Sequence, residues 1–287
     1  MKSDTMMMMM QSFISLSALA ASLFSASGAA LCSRETLVEA TNKLLAAQTA
    51  GKPDSLGPLA GVGYLEQFKT ADITKGILAT PLKLDFNRSL IDSTQCATYT
   101  EMIAATQAHP YVVGTQMHFT PEGKLTNLSS LVTDKGDWLF NATGTLYWAS
   151  REKWDVIPED QRDTRAAIQA AADAYADIFN DKNVKVPWGT PCARLEGGSY
   201  TGSGSPSDRC DVGIPNGTSS HGLTFRFVYV LILTARLGVK LVNRRYVIDE
   251  TIGSVDVFID FASLPDSHEF RVEKGKLRYV HTITVMA

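Results

Sequence analysis

The sequence predicts an α+β chain made of two tandem copies of one unit, each a helix followed by a curved antiparallel sheet. Three observations predict it. A string of residues in the first half recurs in the second in the same order. A helix-like stretch precedes each copy, and alternating, strand-like runs follow it. The segment ahead of both copies has the make-up of a leader and stands outside the fold.

Residues 1–29 form that leader. Met1-Lys2-Ser3 supplies one positive charge, an apolar stretch runs from Phe13 to Phe24, and small residues from Ser25 to Ala30 follow. This is the order of a cleavable signal peptide, with Ser27-Gly28-Ala29 as the cleavage site. The apolar core is shorter than the roughly 20 residues a membrane span needs. The Met6 to Met10 run makes a later methionine an alternative start. The expected location is the secretory-pathway lumen or the cell exterior.

The first unit is expected over 30–154 and the second over 155–287. A helix from about Glu35 to Ala50 opens the first. One from about Arg162 to Asn180 opens the second, with an apolar face at Ala167, Ala171, Ala174, Tyr175 and Ile178. Asn87-Arg88-Ser89-Leu90-Ile91-Asp92 then matches Asn243-Arg244-Arg245-Tyr246-Val247-Ile248-Asp249, each leading into a strand-like run. Downstream, His118 to Leu125 matches Phe270 to Leu277 through a shared Glu, Gly-Lys-Leu order. Self-similarity of this kind sets the architecture, so it ranks before any fold assignment. The stretch Asp155 to Asp163, with Pro158 and several charges, is the expected join.

Composition narrows the function. The net charge of −3 carries no footprint for nucleic acid, and no basic amphipathic stretch marks a membrane surface. Cys32, Cys96, Cys192 and Cys210 are an even set, which in an oxidising compartment reads as two disulfides. Of the three pairings, Cys192–Cys210 and Cys32–Cys96 is favoured: the first closes a Gly/Ser/Pro-rich loop, the second ties the mature N-terminus to the body. Sequons at Asn87, Asn127, Asn141 and Asn216 are candidate glycosylation sites.

Three further motifs stand out: Gly136-Asp137-Trp138-Leu139-Phe140-Asn141-Ala142-Thr143-Gly144, then Pro187-Trp188-Gly189-Thr190-Pro191-Cys192-Ala193-Arg194-Leu195-Glu196-Gly197-Gly198, then Pro265-Asp266-Ser267-His268 with Arg278-Tyr279-Val280-His281-Thr282. Together they resemble the secreted fungal DUF8021-domain family, over nearly the whole mature chain. The helix-then-sheet order is also similar to the NTF2-like cone shared by nuclear transport factor 2, ketosteroid isomerase and scytalone dehydratase. That resemblance implies a pocket at the wide end of each cone, and two NTF2-like units packed sheet to sheet as a pseudo-dimer. It also implies a monomer of that kind or a homodimer. A weaker similarity reaches ketosteroid-isomerase-like cyclases of fungal biosynthetic clusters. One stretch departs from the DUF8021 pattern. Residues 217–238 intervene before the Asn-Arg-Arg-Tyr strand, and read as an insertion or a retained intron that begins Gly-Thr.

Candidate chemistry centres on the last hairpin. Glu273-Lys274-Gly275-Lys276 is its turn, and pairing Val272 with Leu277 sets Phe270 opposite Tyr279 and His268 opposite His281. Both histidines then share one face, a setting for proton transfer near neutral pH. Aligning Gly123 with Gly275 sets Gln116 and Ser129 at the histidine positions of the first half, so catalysis is expected in the second. Asp266 caps a turn or orients His268. Asp249 is a candidate base if it faces the cone, and otherwise joins Glu250, Arg244 and Arg245 in a surface ion cluster. Tyr246, Tyr279, Phe270, Trp188 and Arg245 are the expected substrate wall. Arg194, Glu196 and Tyr200 rim the pocket or hold the disulfide loop. His109 reads as a turn residue, and His221 lies in the insertion. A metal held by two histidines and a carboxylate is the rival, but nothing fixes a carboxylate at ligand distance, and no metal is expected. No phosphate loop or nucleophile elbow is present.

Two functions remain open. One is a cofactor-independent acid–base enzyme (isomerase, cyclase, dehydratase or lyase) acting on a small organic molecule, with His268, His281 and Asp249 as its catalytic groups. The other is a non-catalytic secreted protein that binds a small molecule or associates with the cell wall.

Overall fold

The structure is a computed structural model that describes residues 32–214 and 238–286. The expected leader, Asn216, His221 and nearly all of the 217–238 insertion lie outside the described residues.

Helix α1 (Arg34–Ala50) starts where Ser33 accepts a hydrogen bond from the Thr36 amide at 3.1 Å, and stops at Gly51 with φ of 63°. That is a side-chain cap at one end and a left-handed glycine at the other. Strands β1 (Gly63–Glu66), β2 (Lys69–Thr70), β3 (Phe86–Asp92), β4 (Ala97–Ala104), β5 (Tyr111–Phe119) and β6 (Leu125–Thr133) follow. Helix α2 (Ala142–Ala149) leads towards α3 (Arg165–Asp177), which Thr164 caps. The second half adds β7 (Trp188–Glu196), β8 (Ser199–Tyr200), β9 (Val242–Asp249), β10 (Ser254–Phe261), β11 (Leu264–Glu273) and β12 (Lys276–Thr284).

The strands form two six-stranded sheets of identical topology, ordered β2-β1-β6-β5-β4-β3 and β8-β7-β12-β11-β10-β9. In each, one pair is parallel, β1 with β6 and β7 with β12, and the rest are antiparallel. The likeness extends to a flaw in the ladder. A bulge falls between His118 and Phe119 in one sheet and between Arg271 and Val272 in the other. Two units of one design account for this, as the repeated motifs predict.

Alternation along the strands gives each sheet two buried faces. One face of the first sheet packs under α1 through Leu44, Met102, Met117 and Leu128. One face of the second packs under α3 through Tyr175, Val257, Phe270 and Val280. The remaining faces meet through Leu90, Tyr99, Leu131, Val247, Phe258 and Ile283. The layers run helix, sheet, sheet, helix. Both favoured disulfides are formed, Cys32–Cys96 and Cys192–Cys210.

Two reciprocal ties cross the units. Arg34 of α1 donates to both carboxylate oxygens of Asp249 at 2.8 Å, and Asp249 also accepts from the Ile91 amide at 2.9 Å. Arg165 of α3 donates to both oxygens of Asp92 at 2.8 and 2.6 Å, and Asp92 accepts from the Ile248 amide at 2.9 Å. Each aspartate ends the repeated Asn-Arg motif of its own unit and holds the opening helix of the other. The join has a close approach of its own. Gly197 and Gly198, with φ of 55° and 119°, turn β7 into β8 against the start of α2, where a Cβ on Gly197 would fall 2.1 Å from the Trp138 carbonyl. Only glycine fits there.

Candidate functional site

The bulge decides where the two histidines point. Val272 pairs with Leu277 as expected, but beyond the bulge Glu269 pairs with His281, and His268 with Thr282. The expected direct pairing of His268 with His281 is therefore wrong by one residue. A slip of one flips side chains to the other face. His281 faces the first sheet, and His268 faces the core under α3.

His281 lies in an ion cluster between the units. Its Nδ1 is 3.1 Å from Glu101 Oε1, and its Nε2 is 2.6 Å from Glu152 Oε2. Arg88 donates to Glu269 at 3.0 and 2.6 Å and to Glu101 at 2.9 Å, and its Nη2 lies 3.0 Å from His281 Nδ1. The Trp154 ring covers the Arg88 guanidinium, with the ring centre 3.7 Å from Cζ. Burial alone would depress His281, but Glu152 and Glu101 overcome it and push its pKa up to about 10. Burial would raise Glu101, but the His281 and Arg88 charges bring it down to about 2. At neutral pH the imidazole is a cation held between carboxylates, not a general base.

Glu101, Glu269 and His281 also offer ligand atoms within 4.8 Å of one another. Arg88 reaches all three. A guanidinium thus fills the place a metal ion would take, and a protonated imidazole does not ligate. The adjoining cavity, lined by Glu101, Thr133, Leu195, His281, Thr282 and Thr284, has a volume of about 10 Å³, roughly the room one water needs.

His268 has a different setting. Its Nδ1 hydrogen-bonds Asp266, which in turn accepts from Thr284 Oγ1 at 2.5 Å. The ring lies among Tyr175, Phe261 and Phe270, with centroids 5.2 to 5.9 Å away. Burial pushes the Asp266 carboxyl up. His268 Nε2 has no hydrogen-bond partner among the described residues. It borders a crease between α3 and β9–β11 lined by Asp173, Tyr175, Arg244, Val257 and Phe270, which has no room for a water. Asp266 therefore orients His268, one of its two expected roles.

The other expected site residues do not converge. Asp249 does not face a cone interior, because Arg34 and two backbone amides hold its carboxylate. Nor is it a surface ion pair, since its side chain is fully buried. Tyr246, which donates to Asp173 at 2.6 Å, Phe270 and Trp188 lie on the α3 side of the second sheet. Tyr279 stacks on Trp154, and Arg245 lies over the Phe68 ring, both on the side towards the first sheet. Arg244 pairs with Asp173 and Asp177 of α3, not with Asp249 or Glu250. Arg194 pairs with Glu196 and donates to the carbonyls of Cys210 and Val212, so it holds the disulfide loop. Tyr200 donates to Glu152 at 2.9 Å. Asn87, Asn127 and Asn141 are exposed.

Sequence reasoning missed Arg88, Glu101, Glu152 and Glu269 as a group. A signal existed. Glu101 is the only charge in its strand, where an unpaired charge is costly.

Residues 161–284 match the family model described as "Domain of unknown function (DUF8021)". The match covers less than half the chain, and it takes in α3 and the whole second sheet. No curated protein matches the chain.

Proposed function

We propose that this is a non-catalytic protein of the fungal secretory pathway, made of two NTF2-like units, that associates with the cell wall. One observation carries the reading: neither histidine faces a space that could admit a substrate. The cavity beside His281 holds at most one water, and the crease beside His268 holds none. The two disulfides and the expected leader support secretion. No helix among the described residues is long and apolar enough to cross a membrane. Exposed Asn87, Asn127 and Asn141 are the glycosylation sites of this reading.

A second reading keeps the cofactor-independent acid–base enzyme, narrowed to His268 oriented by Asp266. The Nε2, without a partner among the described residues, favours it, as does a family match confined to the unit that carries it. In this reading α3 must lift from the sheet to admit substrate between Tyr246, Phe270 and Trp188.

Deuterium exchange separates the two. A panel of small cyclic ketones in D2O, followed by proton NMR, should show no exchange beyond buffer when the protein is added. Protein-dependent exchange that His268→Gln abolishes would overturn the first reading in favour of the second. The positive half is checked by sedimentation of the intact protein with insoluble chitin or β-glucan.

A further inference from the structure

The clearest unexplained feature is the buried ion cluster between the sheets. Its members come from every layer that meets there. Arg88 comes from β3, Glu101 from β4, Glu269 from β11, His281 from β12, and Glu152 from the segment joining the units. Tyr200 of β8 reaches it through Glu152, Trp154 lies over it, and Tyr279 stacks on Trp154 with Arg278 on that tyrosine. Asp256 of β10 and Gln116 of β5, joined at 2.6 Å, stand beyond Glu269. Away from this cluster each unit has its own core and its own disulfide, and the units also meet through the apolar inter-sheet residues and the two aspartate ties.

We propose that this cluster is a pH-gated clasp: it tightens the contact between the two units from acidic to neutral pH and loosens it in alkali when His281 loses its proton, while each unit stays folded.

The geometry requires the proton. Nδ1 lies 3.0 Å from Arg88 Nη2 as well as 3.1 Å from Glu101, but the two hydrogens of Nη2 go to Glu101 and Glu269, so the doubly protonated ring is the form that satisfies both facing carboxylates. When Nδ1 is deprotonated it becomes an acceptor, so it turns to Arg88 and Glu101 loses a donor in a buried site. A buried carboxylate left short of partners is strongly destabilising.

The signs follow from the two shifts. His281 rises from 6.5 to about 10, so its contribution is complete below 6.5 and is lost as pH climbs through about 10. Glu101 falls from 4.5 to about 2, so its contribution is complete above 4.5 and is lost as pH drops through about 2. Both contributions are complete between 4.5 and 6.5.

Thermal unfolding of the intact protein tests this. In a variant with Trp138, Trp148 and Trp188 replaced by Phe, tryptophan fluorescence reads the inter-unit contact through Trp154, and far-ultraviolet circular dichroism reads the sheets. At about pH 5.5 the two transitions should coincide, and at about pH 10.5 the fluorescence transition should come first by about 5 °C or more. His281→Gln should separate the transitions at both pH values. Coincident transitions at both pH values with His281 in place, or a His281→Gln profile that follows that one, would overturn the clasp. If His281→Gln does not fold, Glu152→Gln removes one of the two facing carboxylates. It should move the alkaline midpoint down by about one pH unit, and an unmoved midpoint overturns the proposal equally.

Discussion

The two units share a backbone plan and differ in what stands at its centre. Bulge, strand order and terminal aspartate recur position for position. In the pairing ladders, Arg88 corresponds to Arg245, Glu101 to Phe258, Gln116 to Glu269, Ser129 to His281 and Thr115 to His268. The interface is therefore not symmetric. On one diagonal Arg88 and Glu101 meet Glu269 and His281, all buried. On the other, Arg245 rests on the Phe68 ring and Phe258 packs against Tyr99. Groups that set backbone geometry have been kept in both copies, while groups in the middle of the inter-sheet face have become complementary.

That contrast can be broken at matched positions. The largest effect is expected from Arg88→Met, which leaves buried Glu269 without its cation and Glu101 with His281 alone; urea denaturation should show a loss of about 3–5 kcal/mol. Opening the disulfides should separate the units next. Cys32–Cys96 spans 64 residues and Cys192–Cys210 spans 18. Chain entropy gives about 4 kcal/mol for the longer loop and about 3 for the shorter, read as the stability change of the paired Cys→Ser variants. Asp92→Asn and Asp249→Asn should each lose about 2 kcal/mol, because both remove one charge from a buried bidentate pair. Unequal losses would show that the two ties are not equivalent. Arg245→Met should cost about 1 kcal/mol or less, the worth of a half-exposed cation over a ring.

The sequence displayed the duplication because turn and capping chemistry is local. The Asn-Arg and Gly-Lys-Leu strings, the Ser33 and Thr164 caps and the glycine turns are all set within a few residues. The disulfide pairing was legible for a similar reason, since one loop is short and only one partner pair then remains. The histidine register was not legible. A bulge inserts Arg278 into the ladder between Leu277 and Tyr279 without a glycine or proline to announce it. Asp249 was misplaced because its partner, Arg34, lies 215 residues away, beyond any periodicity. The ion cluster was not legible: Glu101 is a lone charge in its strand, but the grouping with Arg88, Glu269, His281 and Glu152 exists only once the sheets meet face to face.

The crossed aspartate ties bear on how the chain can be divided. The family match ends at the borders of the second unit, which invites the use of 161–284 as a free-standing domain. Cut there, Asp249 would lose Arg34 and the Ile91 amide, Arg165 would lose Asp92, and Glu269 and His281 would face solvent without Arg88 or Glu101. The apolar middle of the inter-sheet face, with Val247, Phe258 and Ile283, would be bare as well. Such a fragment would seek a second copy of itself or aggregate. The smallest piece of this protein that can be handled in water is the pair.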